Sequence, residues 1–151
     1  MSDSNNFDLQ AFLPYLLNQA AEASSLSFQR VYQERYGMLR GEWRVLFHLG
    51  IFGQMTARDI GMRGKIHKTK ISRAVQKLAE KRFIKRQRNA DDRRQETLQL
   101  TISGRAAYLE LRKTAEHYQT DLSAEFSAEE FALLQTTVSY THLTLPTKST
   151  V

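Results

Sequence analysis

The chain has 151 residues, of which 41% are hydrophobic and 25% charged, a composition typical of one globular domain with room for helical extensions. It has no apolar run long enough to span a bilayer, its acidic and polar N-terminus is unlike a secretory signal, and its lack of cysteine excludes disulfides and thiol redox sensing, so we expect a cytoplasmic protein without a membrane partner. The net charge is +6, but residues 58–94 hold fourteen Lys and Arg against four Asp and Glu, a local charge of +10 that indicates a polyanionic partner such as DNA.

Apolar residues recur at three- and four-residue steps over residues 7–36, which predicts a long amphipathic helix. Pro14 is tolerated in a first helical turn, so the helix is expected to begin near Leu13, after a separate turn, and to end at Gly37. A helix this long cannot bury both of its sides in so small a domain. We therefore expect part of it to pack on a partner chain; the alternative is that it folds wholly over its own core.

A second, shorter helix is predicted over residues 42–49, and Gly50 and Gly53 are expected to end it. A third helix has a clear start, because Thr56 is a suitable N-cap and Asp59 stands three residues later.

The third helix is expected to run to about Met62, and a turn that contains Gly64 separates it from a fourth helix over residues 68–81. The residues predicted to face the core from this fourth helix are Ile71, Ala74 or Val75, and Leu78. The polar residues expected at its outer face or N-terminus are Lys68, Thr69, Lys70, Ser72, Arg73 and Gln76. Two short helices joined by a tight glycine-containing turn, the second of them basic, predict a helix-turn-helix.

Residues 83–84 and 97–101 are typical of strands, and the polar stretch between them suits the tip of a hairpin. Thr101 is a predicted cap for a fifth helix with apolar residues at helical spacing. Ser127 and Glu130 form a capping-box pattern that predicts the start of a last helix.

The helical pattern fails from Gln135 onward, where threonine becomes frequent and a proline stands at Pro146. We interpret this end as non-native, for example an expression scar, a frameshift or a read-through, or as disordered. The chain is thereby divided into an N-terminal arm and helix, a helix-turn-helix region with its hairpin, C-terminal helices and a tail, at residues 1–36, 37–101, 102–138 and 139–151.

Three stretches in order resemble the MarR (multiple-antibiotic-resistance regulator) family of winged helix-turn-helix regulators. They are EWRVL at residues 42–46, KTKISRAVQKLAEKRFIKR at 68–86, and DRRQETLQLTISGR at 92–105. The resemblance covers roughly residues 7–135. It implies a mainly α fold with a small β wing, in which a winged helix-turn-helix domain is joined to N- and C-terminal dimerisation helices. It also implies a homodimer that binds a pseudo-palindromic operator in double-stranded DNA.

By the same resemblance, each fourth helix would enter a major groove and each wing a minor groove, where Asp92 would hold Arg94 and leave its guanidinium free. The residues implied or inferred to contact DNA are Lys68, Thr69, Lys70, Ser72, Arg73, Gln76, Arg88, Asp92, Arg93 and Arg94. Lys70 and Arg73 suit guanine edges, whereas the residues near the helix N-terminus suit phosphate. Gln76 suits either adenine or solvent.

Members of the family commonly bind small aromatic or phenolic anions and release DNA in response, which implies a ligand-responsive repressor. The residues expected to line such a pocket here are Tyr15, Tyr36, Trp43, Arg44 and His48. Arg44 would supply the charge that pairs with a carboxylate. The competing interpretations are core packing for Trp43 and a satisfied or surface position for His48.

Other classes of function are less well supported by the residues. The four histidines lack metal-ligand spacing, no nucleophile motif is present, and we expect no enzyme, cofactor or metal site. The rival interpretation is an RNA-binding or non-specific basic module, because residues 61–64 match the GXXG loop of KH domains. A KH fold would require strands where residues 42–49 predict a helix.

Overall fold

Six helices and a small sheet make up the part of the chain that our computed structural model describes, residues 6–92 and 94–144, with side chains through Tyr140. The helices are α1 (Leu13–Tyr36), α2 (Arg40–Phe52), α3 (Ala57–Gly64), α4 (Lys68–Glu80), α5 (Ile102–Ser123) and α6 (Ala128–Thr144). The strands are β1 (Met55–Thr56), β2 (Ile84–Arg88) and β3 (Glu96–Leu100). The predicted fold class, mainly helical with a small β wing, is confirmed. Within these ranges no helix is both long and apolar enough to cross a membrane.

The first helix begins and ends where the sequence predicts. A 3-10 turn at Leu9–Ala11 precedes α1, and a proline occupies its first turn. Gly37 ends the helix in the left-handed conformation at φ 61°, which glycine adopts without a steric penalty. Its N–H donates to the Gln33 carbonyl oxygen at 2.9 Å.

The second helix is longer than predicted, and the expectation that Gly50 helps to end it is wrong. Gly50 lies inside α2, where a Cβ atom would come within 2.5 Å of the Tyr108 ring of α5. The glycine is therefore needed for a close approach between helices, a reason that is invisible in the sequence. Gly53, at φ 81°, is the residue that ends α2. At the other end Glu42 acts as the cap, since its carboxylate accepts from the Leu39 N–H at 2.8 Å.

The chain divides between Lys113 and Thr114 into two compact units. The core of the first unit is formed by sixteen hydrophobic residues that are at most 8% exposed. They are Tyr32, Met38, Val45, Leu46, Leu49, Ile60, Ile66, Ile71, Ala74, Val75, Leu78, Ile84, Leu98, Ala107, Tyr108 and Leu111. The helices α1 to α5 and the strands β2 and β3 each contribute residues to this core. The helices α3 and α4 are therefore held in place by apolar contacts with the elements around them.

The sheet is antiparallel with the order β1-β3-β2. β2 and β3 form the predicted hairpin, with Ile84 opposite Leu100 at one end and Arg88 opposite Glu96 at the tip. The strand β2 therefore extends beyond the predicted residues 83–84. The sequence also missed β1, where Met55 pairs with Leu98, because two residues are too few to show an alternating pattern.

The second unit contains the C-terminal part of α5 and all of α6. The capping box is confirmed: the Ser127 N–H donates to Glu130 Oε1 at 3.0 Å, and the Glu130 N–H donates to Ser127 Oγ at 3.1 Å. The helix continues to Thr144, so the predicted loss of helix from Gln135 is wrong. Each threonine costs a helix only a few tenths of a kcal/mol, roughly, so threonine alone does not end a helix. Pro146 lies outside the described residues, and the origin of the tail stays a prediction.

Candidate nucleic-acid interface

The helix-turn-helix is formed by α3, a tight turn and α4. Thr56 caps α3 as predicted, because its Oγ1 accepts from the Asp59 N–H at 3.1 Å. Lys65 ends α3 in a left-handed conformation at φ 52°, and Ile66, which is 8% exposed, anchors the turn in the core. His67 then caps α4, with its Nδ1 accepting from the Thr69 N–H at 3.3 Å. The role of the histidine was not predicted, since histidine is not a common N-cap residue.

The two faces of α4 are sharply separated. Ile71, Ala74, Val75 and Leu78 are all buried, which confirms the predicted inward face and shows that both alternatives, Ala74 and Val75, belong to it. The predicted outward residues are all exposed, namely Lys68, Thr69, Lys70, Ser72, Arg73 and Gln76. The helix thus presents a polar, basic surface to solvent while its underside joins it to the body of the domain.

The wing tip is held by short-range hydrogen bonds. Asn89 Oδ1 accepts from the Asp91 N–H at 3.2 Å, and Asp92 Oδ1 accepts from the Arg94 N–H at 3.0 Å. Asp92 therefore contacts the backbone of Arg94, and the exposed arginine side chain extends from a constrained turn. Arg88 is also exposed at the end of β2. The predicted contact residue Arg93 lies outside the described residues.

An arginine on the wing is paired within the hairpin. Arg86 donates through Nε and Nη2 to the two carboxylate oxygens of Glu96, at 2.9 and 3.0 Å. The hydrogen bond that Arg86 donates to Glu96 raises the pKa of Arg86 above its usual range. The sequence places the two residues ten apart, so only the hairpin register could reveal the pair. This pair stiffens the strands that carry the wing tip.

The five residues predicted to bind an effector do not converge on one site. Trp43 lies in an aromatic cluster with Phe28 and Phe47, at ring-centroid distances of 5.2 and 5.3 Å. Tyr36 packs against Phe83, and burial together with a hydrogen bond to Glu110 raises its pKa to about 12. Tyr15 and Tyr36 lie far apart on α1, since the twenty-one residues between their positions span roughly 30 Å of helix.

Arg44 and His48 face a different part of the molecule. The Arg44 guanidinium donates to the Gly64 carbonyl oxygen, and His48 Nδ1 lies 2.6 Å from the Arg44 carbonyl oxygen. Burial, followed by repulsion from Arg40, lowers the pKa of Arg44. Arg44 also borders a cleft of about 600 Å³ between α2 and α4, together with Lys70 and other basic residues. The competing interpretation of Trp43 as a core residue fits its aromatic neighbours, whereas an effector site for the five residues stays a prediction.

The geometry does not favour the KH-like alternative. Residues 61–64, which match GXXG, lie inside α3 instead of in a loop, and α2 is helical where a KH fold requires a strand. An exposed basic helix, a preceding helix and an adjacent β hairpin instead define a winged helix-turn-helix protein.

Comparison with known proteins agrees with this class. A sequence model of the MarR family matches residues 36–95. The HTH-type transcriptional regulator YwoH of Bacillus subtilis is 24% identical over 118 residues, which cover 77% of this chain and 85% of YwoH. The region that holds the helix-turn-helix and the wing therefore resembles the MarR family of transcriptional regulators.

Solved structures share the fold at low sequence identity. Bordetella bronchiseptica BpsR, described in connection with the regulation of its DNA binding by 6-hydroxynicotinic acid, has a TM-score of 0.82 at 17% identity, with 91% of this chain and 98% of BpsR covered. The MepR–DNA complex of S. aureus has a TM-score of 0.79 at 19% identity, with 89% of this chain and 98% of MepR covered.

Proposed function

We propose that this protein is a dimeric, sequence-specific DNA-binding repressor that acts in the cytoplasm. The observation that carries the proposal is the exposed polar and basic face of α4 beside a wing whose tip presents Arg94. A helix of this kind suits the major groove, and an arginine on a constrained turn suits a narrow minor groove.

Individual contacts follow from side-chain chemistry. Lys70 and Arg73 would donate to guanine O6 and N7, while Gln76, which lies 3.4 Å from Glu80 Oε1, would read adenine or remain in solvent. Lys68, Thr69 and Ser72, at the N-terminal end of α4, would bind phosphate. The cations of the wing that are proposed to contact DNA are Arg88, Arg93 and Arg94, and of these Arg94 would enter the minor groove.

A homodimer is proposed from the apolar side chains that are exposed on α1 and, separately, on α6. Leu13 and Leu16 on α1 are 56% and 42% exposed, and Leu133 on α6 is 68% exposed. Apolar side chains grouped along a helix mark a surface that another surface covers. Two-fold symmetry of the dimer would place two α4 helices about one turn of DNA apart and so select a pseudo-palindromic operator.

The proposed effector is a small aromatic acid that releases the protein from DNA. Support comes from BpsR, whose DNA binding is described as regulated by 6-hydroxynicotinic acid. Such a ligand must bind the DNA-incompetent state more tightly than the competent state. A panel of hydroxybenzoates would be screened for a raised melting temperature and for loss of operator binding. If no member of the panel changes either quantity, the effector part of the proposal fails.

The DNA-binding part is tested with the wild-type protein and three nucleic acids. A duplex would be selected from a random pool by binding, and its affinity compared by fluorescence anisotropy with a scrambled duplex and with single-stranded RNA. We expect the selected duplex to bind ~10³-fold or more tightly than the scrambled one, as specific regulators do. Equal binding of both duplexes would leave a non-specific module, and preference for RNA would restore the rival class.

A further inference from the structure

The orientation of α4 depends on α2, the helix that lies beneath it. Apolar packing between two helices is not directional, and interaxial angles among packed helix pairs scatter by roughly 15–20° around the preferred classes. Because α4 has 13 residues and is ~20 Å long, a tilt of ~5° about one end displaces the other by nearly ~2 Å. A shift of that size breaks a hydrogen bond to a base edge. Something more directional than apolar packing must hold the angle.

One directional contact is at the C-terminal end of α4. Glu42 of α2 is 2% exposed, and its Oε1 accepts from Nζ of Lys81, the C-cap residue of α4, at 2.6 Å. Its second oxygen, Oε2, accepts from the Leu39 N–H at 2.8 Å. Both carboxylate oxygens are thus engaged, one on the start of α2 and one on the end of α4. A buried, charge-assisted hydrogen bond of this kind tolerates little movement.

The other directional contact lies just before the N-terminal end of α4. Arg44, two residues after Glu42, donates from Nη2 to the carbonyl oxygen of Gly64, the last residue of α3. His48 supports it, with Nδ1 donating to the Arg44 carbonyl oxygen at 2.6 Å, since a carbonyl can only accept. A Cβ at Gly64 would lie 3.1 Å from His48, so the turn sits directly against this side chain.

We infer that Glu42 and Arg44 are positioning residues that hold the two ends of α4 and thereby set the register of its outer side chains on the bases. The inference rests on the proposed function as a sequence-specific DNA-binding protein. Neither residue lies on the outward face of α4, so neither is expected to touch a base. Their effect is on the geometry of Lys70 and Arg73, which face outward.

The test compares specific and non-specific binding. Arg44→Met keeps an apolar stem but removes the donors to Gly64. We expect its affinity for the selected duplex to fall ~10-fold or more, the loss of one good base contact, while affinity for a scrambled duplex and the salt dependence stay as in the wild type. Arg35→Met is the matched control, because it removes a 2.7 Å contact from arginine to Glu110 elsewhere in the same unit and should change neither affinity.

Glu42→Gln provides a second, independent arm in case Arg44→Met does not fold. Residue 42 is buried and cannot contact DNA phosphate directly. If only the affinity for the selected duplex falls, the cause must therefore be the altered contact with Lys81 at the end of α4. We expect the same loss of preference for the selected duplex, with non-specific affinity retained.

Two outcomes overturn the positioning role. If a folded variant has a lower melting temperature but the wild-type ratio of affinities for the selected and scrambled duplexes, the residues contribute to stability alone. If both affinities fall together and the salt dependence weakens by about one counterion, Arg44 contacts phosphate directly. If the wild-type protein itself has no preference for any duplex, the proposed function is overturned as well. This result differs from the two outcomes above, which concern the variants alone.

Discussion

The helices α4 and α6 differ in how much of their apolar surface the chain itself covers. In α4 every core-facing apolar residue, Ile71, Ala74, Val75 and Leu78, is at most 4% exposed. In α6 the apolar residues Leu133, Leu134 and Val138 are 68%, 43% and 46% exposed. Isolated helices of about this length are marginal in water, so a helix needs a surface on which to bury its apolar side. The helix α4 finds this surface in its own chain.

This difference separates two tasks of a regulator. The orientation of α4, the helix proposed to read DNA, is specified within a single chain, whereas the spacing of two such helices would be specified by the proposed dimer. Changes at α4 should therefore act independently of protein concentration, and changes at α6 should act through it. The following predictions test that separation, beginning with the largest expected effect.

Leu78→Ala should lower the free energy of unfolding by about 3–5 kcal/mol, because Leu78 is fully buried and truncation leaves a cavity. Urea denaturation would measure this at two protein concentrations, and the loss should be the same at both. Leu109→Ala is the control, since Leu109 is 51% exposed and should cost only about 0.5 kcal/mol. Similar losses for both variants would show that α4 is not anchored as described.

Leu134→Asp should raise the dissociation constant of the dimer ~100-fold, about 3 kcal/mol, by placing a charge on an apolar contact surface. Analytical ultracentrifugation would measure the change. Thr136→Asp introduces the same charge on nearly the opposite side of α6, two residues or ~200° away, and should leave the dimer intact. An unchanged dimer in the Leu134 variant would remove α6 from the interface.

Glu42→Ala should cost about 2–3 kcal/mol of stability, because it leaves the half-buried Lys81 ammonium without its partner. Glu96→Ala breaks the more exposed Arg86–Glu96 pair on the wing and should cost at most about 1 kcal/mol. Thermal unfolding of the two variants side by side gives the comparison. Equal costs would mean that the contact beneath α4 is no more than a surface ion pair.

Arg94→Ala should weaken operator binding by about 1–3 kcal/mol without changing the dimer or the melting temperature, because Arg94 is exposed. Asp92→Ala should have a milder effect, since the cation remains but its backbone loses the bond to Asp92 Oδ1. Fluorescence anisotropy with an operator duplex measures both, and Arg105→Ala, an exposed arginine on α5, is the control. Wild-type affinity in the Arg94 variant would exclude the wing from the interface.

The smallest effect concerns pH. Burial and Glu110 raise the pKa of Tyr36 from 10.0 to about 12, so the folded state keeps this proton at a pH where the unfolded state loses it. The corresponding stability is fully present below pH 10.0 and is lost as the pH rises to about 12. The free energy of unfolding should therefore fall in the wild type relative to Tyr36→Phe over this window, as measured by urea denaturation at a series of pH values. A constant difference would contradict the link between α1 and α5.

Local signals predicted the parts of the fold that depend on neighbours in the sequence. Thr56 and the Ser127–Glu130 capping box mark helix starts within four residues, and the period of α4 identifies its buried face. Contacts between distant residues were missed for the opposite reason. In the sequence Gly50 predicts a helix end, and only the structure shows that it allows the close approach of Tyr108. The strand β1 is identified only by its pairing with Leu98.

The candidate site divides in the same way. The charge of residues 58–94 and the exposed residues of α4 were predicted from the sequence, because periodicity alone assigns the faces of a helix. The separation of the five residues that were expected to line an effector pocket was not predictable. Adjacent positions on α2 point about 100° apart, so Trp43 enters the aromatic cluster while Arg44 turns to Gly64.

The sequence by itself determined which helix is basic, which of its residues face outward and where the wing begins and ends to within a few residues, since these follow from charge, period and turn chemistry. Only the tertiary structure decided that, from α2, Glu42 contacts the C-cap residue of that helix and Arg44 contacts Gly64, the last residue of the helix before it. Side-chain contacts between separate elements depend on how the elements pack, and apolar packing leaves several arrangements open that a sequence pattern cannot distinguish.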